Sequence, residues 1–157
     1  MELRFWRNRH VAPLALAPRP THYSHVAEVE TPVNVAEEFV DALAAQDFER
    51  LEQCFAPDVA FHAAIPGAGS FRERAGAAET ANQFRLWLGD AQPLELLQRV
   101  VEPIVDKVHM SYRFAAFEEE QWHVVEQQAY AVVGERGIER LDLVCSGFRP
   151  VPERPTR

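Results

Sequence analysis

At 157 residues the chain has the length of one domain. Its 47% hydrophobic content suits a globular core, and no run approaches the ~20 apolar residues of a membrane helix, so a membrane span is excluded and a soluble chain expected. The formal charge of -8 is concentrated between residues 35 and 148, where 20 acidic residues stand against 9 basic ones; such a body repels phosphate backbones and excludes nucleic acid as a partner.

The first 33 residues carry Pro13, Pro18, Pro20 and Pro32 and no sustained period, which predicts a mobile N-terminal tail. Its start loosely imitates a signal peptide, but Pro13 interrupts the apolar stretch and Pro18 follows the small residues, so a cytoplasmic chain is expected. The body, residues 34–150, opens with Asn34 and Glu37 spaced as an N-cap and its reciprocal acid, then a helical stripe of Val35, Phe39, Ala42 and Leu43. Asp47 starts a second short helix with Phe48, Leu51 and Phe55 inward, and Ala56-Pro57-Asp58 stops it. Residues 59–66 read as a strand, 66–74 as a flexible lip, and 75–88 as a third helix striped by Ala77, Ala81, Phe84 and Leu88. Four strands follow, near 94–103, 107–117, 121–133 and 138–148, and residues 151–157 form a short C-terminal tail. Helices gathered on one face of a mostly antiparallel sheet make an α+β domain.

Residues 47–61, "DFERLEQCFAPDVAF", and 134–143, "GERGIERLDL", placed in this element order, resemble the nuclear transport factor 2-like superfamily and within it the SnoaL-like proteins. The likeness covers residues 34–150 and is carried most specifically by Ala45, Asp47, Leu51, Phe55, Pro57, Asp58 and Phe61. It implies a strongly curved sheet wrapped round a long helix, a cone-shaped, cystatin-like roll enclosing a pocket. Members include isomerases, cyclases, hydrolases and non-catalytic binders, so the fold leaves open whether this chain is an enzyme. The positions matching the tyrosine, the general-base aspartate and the protonated aspartate of ketosteroid isomerase hold Phe39, Ala63 and Gln128, so that mechanism is not implied.

Strand alternation then predicts a pocket face. Leu141, Leu143 and Cys145 alternate with Arg140 and Asp142, and the apolar set is expected inside. A four-residue turn at 134–137 sets Val133 opposite Ile138; counted on from there, Tyr130, Gln128 and Glu126 fall opposite Leu141, Leu143 and Cys145. An even-length loop at 118–120 sets Glu126 opposite Arg113 and Gln128 opposite Ser111; a three-residue loop sets Glu126 opposite Tyr112 instead. The expected pocket is walled by Phe39, Phe61, Trp87, Leu141, Leu143 and Cys145, with Ser111, Arg113, Glu126, Gln128 and Tyr130 as its polar groups.

Such a pocket suits a small hydrophobic ligand. Glu126 is the candidate proton carrier, since a desolvated carboxylate is pushed toward general acid-base range; a purely structural Glu126–Arg113 pair is the rival role. Gln128 and Tyr130 are candidates for orienting a polar ligand atom, and Cys145 is expected to be a buried small side chain rather than a nucleophile. The complementary face, Met110, Tyr112, Phe114, Val125 and Ala129, is too apolar to meet bare water, which predicts a homodimer covering it. His62 and His123 are expected on that outer face and His109 at the cavity rim. No histidine pair has metal-ligand spacing with a third ligand, the two cysteines form no CxxC, and no Gly-rich loop fits a phosphate, so no metal and no cofactor are expected. Two functions stand open: a cofactor-free isomerase, cyclase or hydratase or simple binder of a hydrophobic molecule, and a non-catalytic carrier or interaction module.

Overall fold

The computed structural model describes residues 31–67 and 71–157. Apart from residues 31–33, the expected N-terminal tail lies outside them. Three helices and seven strands are found among the described residues: α1 (Pro32–Ala44), α2 (Phe48–Gln53), β1 (Phe55–Ala64), β2 (Phe71–Ala75), α3 (Ala77–Leu88), β3 (Leu94–Ile104), β4 (Lys107–Glu118), β5 (Gln121–Gly134), β6 (Gly137–Cys145) and β7 (Arg149–Val151). The strands join in one curved, unclosed sheet of order β2-β1-β6-β5-β4-β3, with β7 paired to the start of β5. Only β1 and β6 pair in parallel. The helices lie against this sheet, as an α+β roll requires.

Helix α1 starts two residues before its expected cap. Thr31 is the N-cap, its hydroxyl accepting from the Asn34 amide at 3.3 Å, and Pro32 occupies the first turn. Proline has no N–H to lose there and its φ is already helical, so Thr-Pro outcompetes Asn34 as the start. Asp47 caps α2 as expected, accepting from the Arg50 amide at 3.0 Å. Between the two helices Gln46 takes a left-handed φ of 53°, and its side-chain amide donates to the carbonyls of Leu88 at 2.6 Å and Ala91 at 2.9 Å. That clamp fixes the α1–α2 corner to the end of α3.

Two strands differ from expectation. Residues 71–74, expected within a flexible lip, and Ala75, expected to open the third helix, form β2 and pair with β1 from Ala60↔Ala75 to Ala64↔Phe71. Residues 149–151 add β7 beside Trp122–Val124, so the chain stays in the sheet to the edge of the expected C-terminal tail.

The core lies between the helices and the concave face of the sheet. Phe84 of α3 sits 5.5 Å from Phe39, 5.3 Å from Phe61 and 5.5 Å from Trp87, ring centre to ring centre. Tyr112, Met110 and Phe114 of β4, Val125 and Ala129 of β5, and Leu141 of β6 are buried against them. Aromatic contacts of this kind add about 0.5–1.5 kcal/mol each beyond area burial.

Candidate functional site

Which side chains enter the cone is decided at the β5–β6 hairpin. Val133 does pair with Ile138, and Gly134 with Gly137, as the four-residue turn predicts. The next pair is Val132↔Arg140, so Glu139 is an extra residue on β6, a β-bulge. Because the side-chain period of a strand is two, this single insertion exchanges the faces of β5 relative to the leucines. The pairs that form are Ala131↔Leu141, Ala129↔Leu143 and Gln127↔Cys145. The expected wall shared by Glu126, Gln128 and Tyr130 with Leu141, Leu143 and Cys145 is therefore not formed.

The β4–β5 pairing expected from an even loop is present, Arg113↔Glu126 and Ser111↔Gln128, closed by Glu119 and Glu120 with φ of 50° and 62°. These polar residues come together as predicted, but on the convex side. Arg113 Nε donates to Glu126 Oε1 at 2.6 Å, and the two side chains remain 46% and 40% exposed. Gln128 Nε2 donates to Ser111 Oγ at 2.8 Å, while His109 contacts Gln128 Oε1 at 2.8 Å and Glu102 at 3.0 Å. The His109 ring lies 5.0 Å from that of Tyr130. Ser111, Arg113, Glu126 and Gln128, with Gln98, border a shallow recess of about 230 Å³. Glu126 is thus a solvated, paired carboxylate, and the desolvation that made it a candidate acid-base group is missing.

Further along the same face, Asp142 accepts two bonds from Arg140, at 2.8 and 3.1 Å, and lies 3.1 Å from His62. The Arg140 hydrogen bonds hold the Asp142 carboxyl below the usual aspartate range, against the opposing effect of partial burial, with His62 helping. His62 occupies the convex face as expected. His109 lies there too, not at the cavity rim, and His123 carries the parity of Val125 and Gln127 and so faces inward.

Of the residues expected as apolar walls, Phe39, Phe61, Leu141, Leu143 and Cys145 are buried in the core, and Trp87 packs partly buried against them. The set expected outside, Met110, Tyr112, Phe114, Val125 and Ala129, is buried with them, so the apolar outer surface that predicted a homodimer does not exist. Tyr130 and Val144 are the large side chains left exposed on the convex face of β5 and β6.

Inside the cone, besides inward-facing His123, a whole rung of the sheet is polar. Tyr112 pairs with Gln127 and Gln127 with Cys145, so phenol, amide and thiol stand side by side on β4, β5 and β6. Gln127 is 1% exposed and Tyr112 2%. The sulfur accepts from Gln127 Nε2 at 3.4 Å and from the Gly147 amide at 3.3 Å. Gln127 Oε1 and the Tyr112 hydroxyl, like Gln83 Oε1 of α3 and His123 Nδ1, are buried with no partner among the described residues. Burial, with the Cys145 thiol adding, pushes the Tyr112 phenol well above its usual value, so it stays protonated and able to donate. Met110, Phe114, Val125, Ala129 and Leu143 on the neighbouring rungs are all buried and apolar. Each unpaired polar atom in such surroundings costs about 1–3 kcal/mol.

Gln127 and Tyr112 are the residues that strand counting missed. The signal was available in composition: Met110, Tyr112, Phe114, Val125 and Ala129 form a more apolar face than Ser111, Arg113, Glu126, Gln128 and Tyr130. Weighing burial over turn arithmetic places the first set inside. Among the described residues, no group of three His, Cys, Asp or Glu side chains is placed to hold a metal ion, and no helix is long and apolar enough to cross a membrane.

Comparison with known proteins agrees with this architecture. No curated protein matches the sequence. Solved structures do: Bal32a from a soil-derived mobile gene cassette superposes with a TM-score of 0.62 at 15% identity, over 74% of this chain and 90% of that one. A putative polyketide cyclase from Xanthomonas campestris gives 0.59 at 18% identity, over 72% and 88%. A hypothetical protein with a ketosteroid isomerase-like fold from Catenulispora acidiphila, in complex with trimethylamine, gives 0.59 at 11%, over 71% and 85%. At these identities the likeness is one of fold. The family model of the SnoaL-like domain matches residues 36–145, the helices and the sheet through the polar rung, and the chain belongs to that SnoaL-like family.

Proposed function

We propose that this protein binds a small, neutral, largely apolar molecule within the cone, against the Tyr112–Gln127–Cys145 rung. The observation that carries the reading is the pair of unpartnered polar atoms, Tyr112 OH and Gln127 Oε1, deep in an apolar wall. A fold selected for stability alone replaces such atoms by apolar ones at no loss; groups kept unpaired fit a partner that is not part of the chain. The rung holds a phenol, an amide and a thiol but no carboxylate, which favours binding and hydrogen-bond stabilisation over proton abstraction. Glu126 has no part in it. The cyclase and the isomerase-like protein among the structural relatives are compatible with a small organic ligand and do not specify one.

Neither Gln127 nor Cys145 borders the surface clefts of about 400 and 610 Å³, which lie by α1–α2 and α2–α3. A ligand therefore has to part the side chains that cover the rung, and its binding should rigidify the chain. The test is a thermal-shift screen of the full chain against lipophilic metabolites, repeated on Gln127→Leu. A compound that raises the melting temperature of the parent and not of the variant supports the reading. If compounds shift both proteins equally, or none shifts the parent, the rung is a structural feature and the cone a closed core.

A second reading concerns the convex face. Tyr130 and Val144 stand exposed among the Arg113–Glu126 and Arg140–Asp142 pairs. An apolar centre rimmed by paired charges suits contact with a second copy of the chain, giving a homodimer by a different route from the one the sequence suggested. Sedimentation of Tyr130→Glu beside the parent decides it: a parent dimer that becomes a monomer supports this contact, and an unchanged mass removes it.

A further inference from the structure

The polar rung has a donor and acceptor pattern that selects among ligand classes, and this step rests on the binding reading above. We infer that the group recognised by the rung is a neutral hydroxyl, an alcohol or phenol on an apolar frame, in preference to a ketone, an aldehyde or a carboxylate.

The pattern follows from what each atom can do. Gln127 Nε2 donates one N–H to the Cys145 sulfur at 3.4 Å, while Oε1, an acceptor, is buried with no partner among the described residues. The Tyr112 hydroxyl is the second unpaired atom, and it is a donor as well as an acceptor. The two residues are directly opposite in the β4–β5 ladder, so their side chains leave the same face of the sheet side by side, about 4.5–5.5 Å apart at Cβ. A hydroxyl placed there donates to Gln127 Oε1 and accepts from Tyr112, and both orphans are satisfied by one group. A carbonyl accepts from Tyr112 only and sets its oxygen against Gln127 Oε1, two acceptors facing each other. A carboxylate meets the same repulsion, and Tyr112, Gln127 and Cys145 offer it no cation, so its burial stays uncompensated. Turning the Gln127 amide over leaves Nε2 as the orphan donor; a carbonyl would then accept from both partners, and a hydroxyl still serves both because it can accept as well as donate. The hydroxyl is the class that fits either amide orientation.

The energies set the scale of the test. A neutral hydrogen bond contributes about 1 kcal/mol net, so two made by one hydroxyl give roughly tenfold or more in affinity. The experiment is calorimetric titration of the full chain, at neutral pH, with naphthalene, 2-naphthol, 2-naphthaldehyde and 2-naphthoate, four probes that share one frame. The expected result is 2-naphthol about tenfold tighter than naphthalene, the aldehyde between them, and the carboxylate weakest. Gln127→Leu and Tyr112→Phe should each shrink the advantage of 2-naphthol over naphthalene while leaving naphthalene as tight or tighter. Should one variant fail to fold, the other carries the same comparison. Naphthalene or the aldehyde matching 2-naphthol in the parent chain overturns the hydroxyl assignment and leaves the cone as a binding site. A preference for 2-naphthol that survives both variants also overturns it. No binding by any of the four overturns the assignment together with the reading it rests on.

Discussion

The two faces of the β4–β5–β6 sheet are built from alternate residues of the same three strands, yet they obey different physics. On the concave face Met110, Phe114, Val125, Ala129 and Leu141 exclude water, and two polar atoms among them, Tyr112 OH and Gln127 Oε1, lack partners among the described residues. On the convex face Arg113 meets Glu126, Arg140 meets Asp142, and Gln128 links His109 to Ser111, all within reach of solvent. Well-made hydrogen bonds therefore mark the side where each contributes little, because water competes for both partners. Poorly satisfied ones mark the side where each unpaired group costs most. Paired charges on the convex face are ordinary surface chemistry, and incomplete pairing inside is the feature that calls for a functional explanation.

Substitutions on either face test that contrast, beginning with the concave one. Phe84→Ala removes a fully buried ring from contact with Phe39, Phe61 and Trp87. It should cost about 3–5 kcal/mol in urea unfolding, a large share of a domain's total stability. Gly137→Ala attacks the hairpin that sets the two faces. Gly137 has φ of 107°, and a Cβ there would lie 2.7 Å from the Cys54 carbonyl oxygen and 3.0 Å from the Phe55 carbonyl carbon, backbone groups that cannot swing aside. A loss of about 1–3 kcal/mol is expected from the strain alone, read as a lowered urea midpoint.

Gln127→Leu should act in the opposite direction. Replacing an orphaned buried amide by an apolar side chain of similar size should stabilise the ligand-free chain by about 1 kcal/mol, or ~2–4 °C in melting temperature. Glu126→Gln, one residue away on the convex face, should cost less than about 1 kcal/mol, the scale of an exposed ion pair, and the loss should shrink in high salt. A destabilising Gln127→Leu beside a severe Glu126→Gln would reverse the assignment of the faces.

The smallest effect carries a pH signature. Asp142 has its folded-state pKa lowered below the ordinary 3.8, chiefly by the Arg140 hydrogen bonds. A depressed carboxylate contributes stability that is present above the unfolded value and lost as pH falls through the folded one. Asp142→Asn should therefore unfold at slightly lower urea than the parent at neutral pH, by under about 1 kcal/mol because the pair is solvated. The difference should vanish in acid well below pH 3.8. A gap that persists in acid would mean that Asp142 acts through packing and not through its charge.

Much of the architecture could be read from the sequence, for reasons visible in single residues. Asp47 as a cap, the stripe of Val35, Phe39 and Leu43, and the Gly134–Gly137 turn are local signals whose outcome depends on near neighbours. The pairing of Arg113 with Glu126 was equally local, since it needs only a two-residue turn between long strands. Thr31 and Pro32 were a local signal passed over in favour of Asn34. The residues expected to wall the pocket are buried, but the polar residues expected on β5, Glu126, Gln128 and Tyr130, have the opposite parity to Gln127, because the extra residue at Glu139 shifts the hairpin count by one.

The sequence by itself determined the order of the three helices and the five long strands and the apolar content of the core, because helical and strand periods and turn residues act over a few positions. Tertiary structure decided where β6 takes up its extra residue, and with it the register that sets Gln127 rather than Glu126 opposite Cys145. The bulge at Glu139 carries no sequence mark of its own; it is selected by how the hairpin packs across α1 and β1, where Gly137 lies against the Cys54 and Phe55 backbone. Burying Met110, Tyr112, Phe114, Val125 and Ala129 together is worth far more than the one ladder position that the bulge leaves unpaired.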